Sequence, residues 1–490
     1  MAVSSGTSGS PGVPQWLATA DRDSPWKELT ACVAGLGRSG FAAAETLVHL
    51  GADTTVVDAR DGRTEQEKAT VLSILGGKSR LGDADSLPAG TQLLVVSPGF
   101  PPHAPIVRAA HAAGVPVWSE VELAWRLRGP DAAPWLCVTG TNGKTTTVRM
   151  LAAMLERAGL RTAAAGNVGT PLLEVVLADQ RYDVLAVELS SFQLHNTHSM
   201  RPLAAAVLNV ADDHVDWHGS FEAYAADKGR IFENTQVACV YNTADPRTEQ
   251  LVRDADVQEG CRAVGFGLGV PGLSEFGVVD GVLCDRAFIA DRRTKAAELG
   301  TLEDFGNTTP APHNVANALA AAALARSFGV ETGAIRAGLR TFRPDAHRIS
   351  HVATVDDVDY VDDSKATNPH AAGASLAAYR SVVWIAGGLA KGAEFDSLVA
   401  GAGERLRAVV LIGADRDRIR QSLTAHAPAV PVVEVAETGP DVMDLVVEAA
   451  RKHAHPGDTV LLAPACASMD MFTDYNERGD RFAEAVRRLG

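Results

Sequence analysis

The run VTGTNGKTTTVRM, Val138 to Met150, restricts the fold more than any other stretch of this chain. Leu136, Cys137 and Val138 read as the end of a buried strand, Gly140 and Gly143 as a turn, and Lys144-Thr145-Thr146 as the start of a helix continuing through Met154. A glycine turn at a helix N-terminus aims backbone N–H groups and the positive end of the helix dipole outward, which suits phosphate. Lys144 then reaches the terminal phosphates, and the Thr145 hydroxyl is placed to sit on Mg²⁺. Val138 stands where the common P-loop has glycine, so this is the shorter GTNGKT form. Glycine turns also join strands to helices for packing alone, but Gly-Lys-Thr directly after an apolar strand favours a nucleotide.

The same strand–turn–helix grammar recurs in three blocks. In the first, ACVAGLGRSGFAAAETLVHLGADTTVVDAR holds a full G-x-G-x-x-G from Gly35 to Gly40, and Asp58 closes the next strand. That spacing fits a Rossmann-type unit, and by itself it does not separate NAD from another diphosphate ligand. The strand TQLLVVSPGF brings Ser97 and Gly99 to the same carboxyl edge. The second block carries the apolar runs VLAVELSSFQL, AAAVLNVADDHVD and VACVYN after the Gly-Lys-Thr turn. An irregular acidic stretch over 254–301 reads as small antiparallel strands and loops, and HNVANALAAAALARSFG as a strong helix. The third block alternates VDYVDDS, VVWIAGG, AVVLIGA, PVVEV and TVLLAPA with helical stretches. The expected fold is therefore α/β with three domains. These are a Rossmann-like domain over 25–129, a central P-loop ATPase-type domain with a mostly parallel sheet over 130–343, and a C-terminal Rossmann-like domain over 344–490. Residues 1–24, rich in Ser, Gly and Pro, read as a disordered tail.

Composition narrows the function. With 490 residues and 46% hydrophobic content the chain can build several cores. A net charge of −15 argues against a sequence-independent nucleic-acid binder, which needs a basic footprint. The chain has no apolar run of membrane-spanning length and no signal-peptide plan at its start, so a soluble, cytoplasmic protein is expected. The six cysteines are scattered without a CxxC, as expected of free thiols in a reducing compartment. Cys466, in PACAS, has no His/Asp partner pattern and reads as packing, not as a nucleophile.

Glu188 ends one apolar strand and ADDHVDWHG follows another, which places Glu188 and His214 at carboxyl ends near the P-loop. With Thr145 they form a plausible set of hard ligands for Mg²⁺. The bland reading of Asp212-Asp213-His214 is a solvated polar turn. Lys228, on EAYAADKGRIFEN, earns no role from spacing alone.

Taken in order, GLGRSG, SPG, GTNGKTTT, GNVG, ELSSFQL, NVADDHVDWHGS, DKGRIFEN, HNVANALAA, DAHRI, DDSKATNP, GGLAKG and APACASMDMF resemble the motifs of the Mur ligases of peptidoglycan synthesis. The likeness runs from about Cys32 to the end, and it is greatest to the branch that adds D-glutamate to UDP-N-acetylmuramoyl-L-alanine. It implies UDP-substrate, ATP and amino-acid domains in that order. It also implies amide formation through an acyl phosphate and a tetrahedral intermediate, in a monomer serving cell-wall biogenesis, cell shape and division. Carried over by position, Gly140, Thr141, Asn142, Gly143, Lys144, Thr145 and Thr146 cradle ATP, joined by Asn314, Asn317, Arg348, Asp363 and Lys365. Thr145, Glu188 and His214 match Mg²⁺ ligands, for two ions in all. Lys228 matches a lysine carbamylated by CO₂ that completes the metal shell. Gly37, Ser39, Asp58, Arg60, Ser97 and Gly99 match the UDP side, where Arg38 either touches the diphosphate or faces solvent. Asn167, Ser190 and Gln193 match the muramoyl-alanine end. Thr367, Lys391 and Ser468 match the D-glutamate pocket, with Tyr475 where phenylalanine is common.

Two other readings are weaker. A nicotinamide oxidoreductase built on GLGRSG and Asp58 leaves GTNGKTTT unexplained, and a non-catalytic nucleotide switch leaves Glu188, His214 and Lys228 without purpose.

Overall fold

Each strand–turn–helix block becomes a separate sheet in the computed structural model, which describes residues 12–305, 310–343, 346–439 and 441–489. The first sheet contains β1 (Thr30–Ala34), β2 (Asp53–Asp58), β3 (Lys78–Leu81), β4 (Leu93–Val96) and β5 (Val117–Ser119). Its order is β3-β2-β1-β4-β5 and every pair is parallel. The order reverses between β1 and β4, which is where ligands settle in open α/β sheets. The glycine turn follows β1 and the Ser97 loop follows β4, so both lie at this reversal. Gly40 is needed there because a Cβ would overlap the Gly35 carbonyl and lie 2.6 Å from Ser97 Oγ.

The central sheet has nine strands: β6 (Trp135–Thr139), β7 (Ala164–Gly166), β8 (Leu185–Glu188), β9 (Ala204–Val207), β10 (Ala238–Asn242), β11 (Arg262–Phe266), β12 (Glu275–Val279), β13 (Val282–Asp285) and β14 (Ala297–Thr301). The order is β14-β13-β12-β11-β10-β9-β6-β8-β7. Within 254–301 the antiparallel expectation holds for β12 to β14. It fails for β11, which pairs parallel with β10 because its buried Val264 and Phe266 extend the core. The helix Pro312–Ser327 buries its alanine run against this sheet.

The first and central sheets share one compact unit running to Phe342. One hydrophobic cluster spans both, with Trp125 and Trp135 packed edge-on at 4.9 Å. Two buried carboxylates on the helix Glu120–Leu127 serve this junction. Glu120 accepts from the Leu173 amide at 2.8 Å, and burial pushes it up to about 7. Glu122 takes the amides of His198 and Ser199. Where a tail was expected over 1–24, residues 1–11 lie outside the described residues, but Gln15–Thr19 form a 3₁₀ turn. Leu17 is buried in that turn and Trp16 packs on Trp26 at 5.3 Å, so this part of the segment is held by apolar contact.

The second unit comprises 310–314 and the chain from 343 onward. The boundary expected at 343–344 includes Pro344, which lies outside the described residues. Its sheet holds β15 (Ser350–Val355), β16 (Val358–Asp362), β17 (Val382–Gly387), β18 (Leu406–Ile412), β19 (Val432–Glu434) and β20 (Thr459–Leu462), in the order β15-β16-β20-β17-β18-β19. All pairs but β15–β16 are parallel. Every residue of β17 is buried, as expected of a strand covered on both faces. Each large apolar side chain buried in this way contributes roughly 1.5–3 kcal/mol.

Among the described residues no helix is long and apolar enough to cross a membrane. All six cysteines are free, although Cys239 and Cys261 bring their sulfurs to 3.8 Å.

Candidate active site

The turn after β6 is shaped by two glycines that no other residue replaces without strain. Gly140 has φ 154° and Gly143 φ 85°, and a Cβ on Gly143 would overlap Asn317 Oδ1. Asn317 is buried and comes from the helix Pro312–Ser327, as does Asn314 one turn earlier. The loop is pinned from just past the end of β9 by Asn209, whose Oδ1 accepts from the Asn142 amide at 2.9 Å and whose carbonyl accepts from the Thr141 amide. Thr141 Oγ1 also bonds the Tyr224 hydroxyl at 2.9 Å. Asn209 and Tyr224 were not among the expected site residues, although Asn209 opens the NVADDH motif. The helix Lys144–Arg157 then presents its first-turn amides, Thr145 and Thr146 included, where a helix leaves N–H groups without intrahelical partners.

Two lysines converge on this loop. Lys144 Nζ donates to the carbonyls of Gly140 and Thr141 at 2.8 and 2.9 Å. Lys228 Nζ donates to the same Gly140 carbonyl at 2.9 Å and lies over the Tyr224 ring. Lys228 is 2% exposed, and burial, reinforced by the charge of Lys144, holds its ammonium well below the usual lysine range.

Glu188 closes β8 and is buried. Its Oε1 accepts from Asn167 Nδ2 at 2.8 Å, whereas its Oε2 is buried without a hydrogen-bond partner among the described residues. A buried carboxylate oxygen in that condition is costly unless a cation or donor meets it. His214 sits in the left-handed region at φ 54°, and its ring lies 4.8 Å from Phe192. Desolvation, with Lys228 and Lys144 against the opposing Asp213, keeps the imidazole below its usual range, in the neutral form that binds metal. Among the described residues no three His, Cys, Asp or Glu side chains form a metal-binding group. Glu188 Oε2 and the His214 ring are the groups here that could meet a cation, and Mg²⁺ is an ion commonly held by one or two carboxylates with phosphates and water. Ser190 and Gln193 form a capping box on the helix Ser191–His195, with both the Ser190 amide and hydroxyl donating to Gln193 Oε1.

In the first sheet Asp58 is buried. Its Oδ2 accepts from the Leu36 amide at 2.6 Å and its Oδ1 from the Arg60 amide at 2.8 Å. Burial alone would raise this carboxyl, but the hydrogen bonds from Arg60 and Leu36 hold it below the usual range. Ser97 Oγ donates to the Gly35 carbonyl. Gly37 and Ser39 flank Arg38 in the turn, and Gly99 follows β4 by three residues. Arg38 is exposed and also donates to the carbonyl of Gly169, in the GNVG loop of the central domain, a contact neither reading included.

In the second unit the loops after β16, β20 and β17 lie at neighbouring carboxyl ends. The Ala465 amide donates to the Ala366 carbonyl, and Leu389 and Ala467 exchange two backbone hydrogen bonds. Thr367, Lys391 and Ser468 thus sit on three loops, of which the one after β20 is tied to each of the other two. Ser468 is buried and Lys391 is exposed at φ 49°. Asp363 is buried, accepts from Ser375 Oγ and the Ile349 amide next to Arg348, and is pushed up to about 6 by burial. Lys365 Nζ lies 3.6 Å from the centre of the Tyr475 ring. Arg478, which the motifs did not single out, is 1% exposed and donates to the Ser364 hydroxyl and carbonyl and to the Cys466 carbonyl. Burial pushes the Cys466 thiol up to about 12, consistent with packing.

Three α/β domains with a glycine-lysine-threonine turn at the carboxyl end of an interior strand of the central sheet define a multidomain P-loop-type protein. Models of the Mur ligase middle domain, the Mur ligase glutamate ligase domain and the MurD-like N-terminal domain match residues 138–325, 347–466 and 30–119. The UDP-N-acetylmuramoylalanine–D-glutamate ligase of Streptomyces avermitilis is 64% identical over 465 residues, covering 95% of this chain and 99% of that protein. Among solved structures, the UDP-N-acetylmuramate-alanine ligase of Thermotoga maritima superposes with a TM-score of 0.54 at 19% identity, over 94% of this chain and 100% of that one. The MurF ligase of the same organism, in complex with ADP, gives 0.53 at 16% identity over 97% and 100%. The chain belongs to the Mur ligase family.

Proposed function

We propose that this chain is an ATP-dependent ligase that joins D-glutamate to UDP-N-acetylmuramoyl-L-alanine in peptidoglycan precursor synthesis. The observation that carries this reading is the identity along almost the whole chain with a relative of that name. The chemistry begins with a carboxylate, a poor electrophile until its oxygen becomes a leaving group. Transfer of the γ-phosphoryl group of ATP to the substrate carboxylate gives an acyl phosphate. The amine of D-glutamate attacks the acyl carbon, and phosphate leaves from the tetrahedral intermediate.

Gly140 to Thr146 hold the ATP phosphates, and Lys144 offsets charge as two anions approach. Asn314, Asn317, Arg348, Asp363 and Lys365 are assigned to the rest of the nucleotide. Glu188, His214 and Thr145 would hold Mg²⁺, which supplies Lewis-acid charge neutralisation. The orphan Glu188 Oε2 supports that assignment. Lys228 is a candidate for carbamylation, R–NH₂ + CO₂ → R–NH–COO⁻ + H⁺, because burial favours the neutral amine that the reaction needs. Asn167, Ser190 and Gln193 face the muramoyl-alanine end. The turn at the β1–β4 reversal, with Gly37, Ser39, Asp58, Arg60, Ser97 and Gly99, takes the UDP group. Thr367, Lys391 and Ser468, with Tyr475 beside them, take D-glutamate.

Phosphate release from ATP with UDP-N-acetylmuramoyl-L-alanine, comparing D-glutamate with L-glutamate, L-alanine and diaminopimelate, tests this directly. Turnover is expected with D-glutamate alone. Turnover with another amino acid would move the enzyme to a sister branch, and none with any would overturn the reading.

A further inference from the structure

Asp227 lies next to Lys228 on the helix Phe221–Gly229 and is buried. Its Oδ2 takes hydrogen bonds from two imidazoles, His195 Nδ1 and His218 Nδ1, each at 2.8 Å. His218 is fully buried at its side chain, and its Nε2 is hydrogen-bonded to Ser191 Oγ at 3.0 Å. The other carboxylate oxygen of Asp227 lies 3.9 Å from the Arg230 guanidinium. Around this chain of bonds the rings of Phe192, Trp217 and Tyr224 pack on His218 at 5.5, 4.4 and 5.2 Å.

The partners of Asp227 are distributed in a telling way. Ser191 and His195 lie on the short helix that follows Glu188 by three residues. His218 ends the short helix Val215–His218, which His214 itself caps. Asp227 precedes Lys228. A single carboxylate oxygen therefore ties together the three chain segments that carry Glu188, His214 and Lys228. Nothing in the proposed chemistry uses Asp227, His195 or His218, yet a buried carboxylate holding two imidazoles is too costly to form without such partners and too specific to be filler.

We propose that Asp227 is a positioning residue: by accepting from His195 and His218 it fixes the relative placement of the Glu188, His214 and Lys228 segments and holds the Lys228 amine at the P-loop, where carbamylation takes place. This rests on the ligase reading above and extends it to residues outside the expected ligand set. Partners that orient ligands from behind change metal affinity or activity on the order of tenfold to a hundredfold when removed. The role assigned is that of a hydrogen-bond hub, so a neutral carbonyl in the same place preserves most of it.

The test uses the full-length protein with ¹³C-labelled bicarbonate and Mg²⁺, reading the lysine carbamate carbon by NMR alongside kcat and the KM for ATP. Asp227→Ala is expected to lower carbamate occupancy and kcat on the order of tenfold or more, with the KM for ATP changed by less than about threefold. Asp227→Asn, which keeps an acceptor oxygen, is expected to restore the carbamate signal to within about twofold of the unsubstituted protein. Should Asp227→Ala fail to fold, Ser191→Ala probes the far end of the same chain of bonds. It is expected to lower carbamate occupancy by roughly threefold or more while leaving ATP binding intact. Carbamate occupancy and kcat unchanged in Asp227→Ala, or in Ser191→Ala where that variant stands in, would overturn the proposal. An unsubstituted protein with D-glutamate turnover but no carbamate carbon would also overturn it while leaving the ligase reading in place. An unsubstituted protein with neither would remove both.

Discussion

Lys144 and Lys228 direct their ammonium groups at one acceptor, the Gly140 carbonyl, from 2.8 and 2.9 Å. Burial and the neighbouring charge of Lys144 both act against a positive charge on Lys228, so its amine is driven toward the neutral form. On the proposed ligase reading, phosphate oxygens beside Lys144 would offset the positive charge gathered at this loop.

Lys144→Met should therefore separate binding from folding. The Gly140 carbonyl keeps Lys228 as a donor, so the thermal midpoint should move by less than about 4 °C. Phosphate release should fall on the order of a hundredfold to a thousandfold, the usual cost of removing one charge-stabilising donor. A phosphate-release assay together with a melting curve checks both, and turnover within about threefold of the starting enzyme would sink the role given to Lys144.

Gly143→Ala tests the loop backbone. Alanine at φ 85° costs about 1–2 kcal/mol, and its Cβ must also displace the Asn317 amide. Affinity for ATP should drop by roughly tenfold or more, while affinity for the UDP substrate changes little. Gly333→Ala is the control, since Gly333 lies outside the site, has no positive φ and has open space where a Cβ would stand. Calorimetric titration of both ligands against both variants gives the comparison. Equal ATP affinity in the two variants would refute the argument.

The skeleton and the phosphate turn are legible in the sequence because they are local. An apolar run, a glycine pair and Gly-Lys-Thr fall within a dozen residues, and each strand end brings its loop to a predictable edge. Ser190 and Gln193 are also readable as a Ser-x-x-Gln capping box. What escapes is built from partners far apart along the chain. Asp227 meets His195 across 32 positions, and Arg478 meets Ser364 across 114. No periodicity announces such bonds, because they depend on which loops the sheet order makes neighbours. Arg38 shows the same limit, since its acceptor Gly169 belongs to a different domain. The packed segment around Leu17 is missed for another reason: Ser, Gly and Pro dominate its surroundings, and the apolar side chains that hold it down are few.

His347 makes the second unit sensitive to pH. Its Nδ1 meets Asp362 Oδ2 at 2.6 Å, and Asp480 and Asp474 add negative charge nearby. The hydrogen bond to Asp362 raises the imidazole above its ordinary 6.5 despite burial. A raised folded-state value means that the stabilisation is complete below 6.5 and is lost as pH climbs through the higher folded-state value. Melting of this unit followed from pH 6 to pH 9 should show that loss, and His347→Gln should flatten it. Gly479→Ala probes the same contact. Gly to Ala inside a helix ordinarily stabilises by roughly 0.5–1 kcal/mol. Here a Cβ would overlap the His347 ring nitrogen and sit 2.7 Å from Asp362 Oδ2, so the sign should reverse. A more stable Gly479→Ala variant would contradict this packing.

Arg478 gives the last prediction. Its guanidinium is buried, and burial holds its pKa down to about 10, so it remains charged at neutral pH. Three of its nitrogens donate, two to Ser364 and one to Cys466, which joins the loop after β16 to the loop after β20. Those loops carry Thr367 and Ser468, assigned here to D-glutamate. An ammonium cannot reproduce the planar fork, so Arg478→Lys leaves at least one buried acceptor unmet, at about 1–3 kcal/mol. The loops should then lose their mutual register, and misplacement of binding groups by a fraction of an ångström is expensive. The KM for D-glutamate should rise by about tenfold or more while the KM for UDP-N-acetylmuramoyl-L-alanine stays within about threefold. Steady-state kinetics with each substrate varied in turn decides it. Parallel increases in both constants would mean that Arg478 holds the unit together in general and has no particular part in shaping the amino-acid pocket.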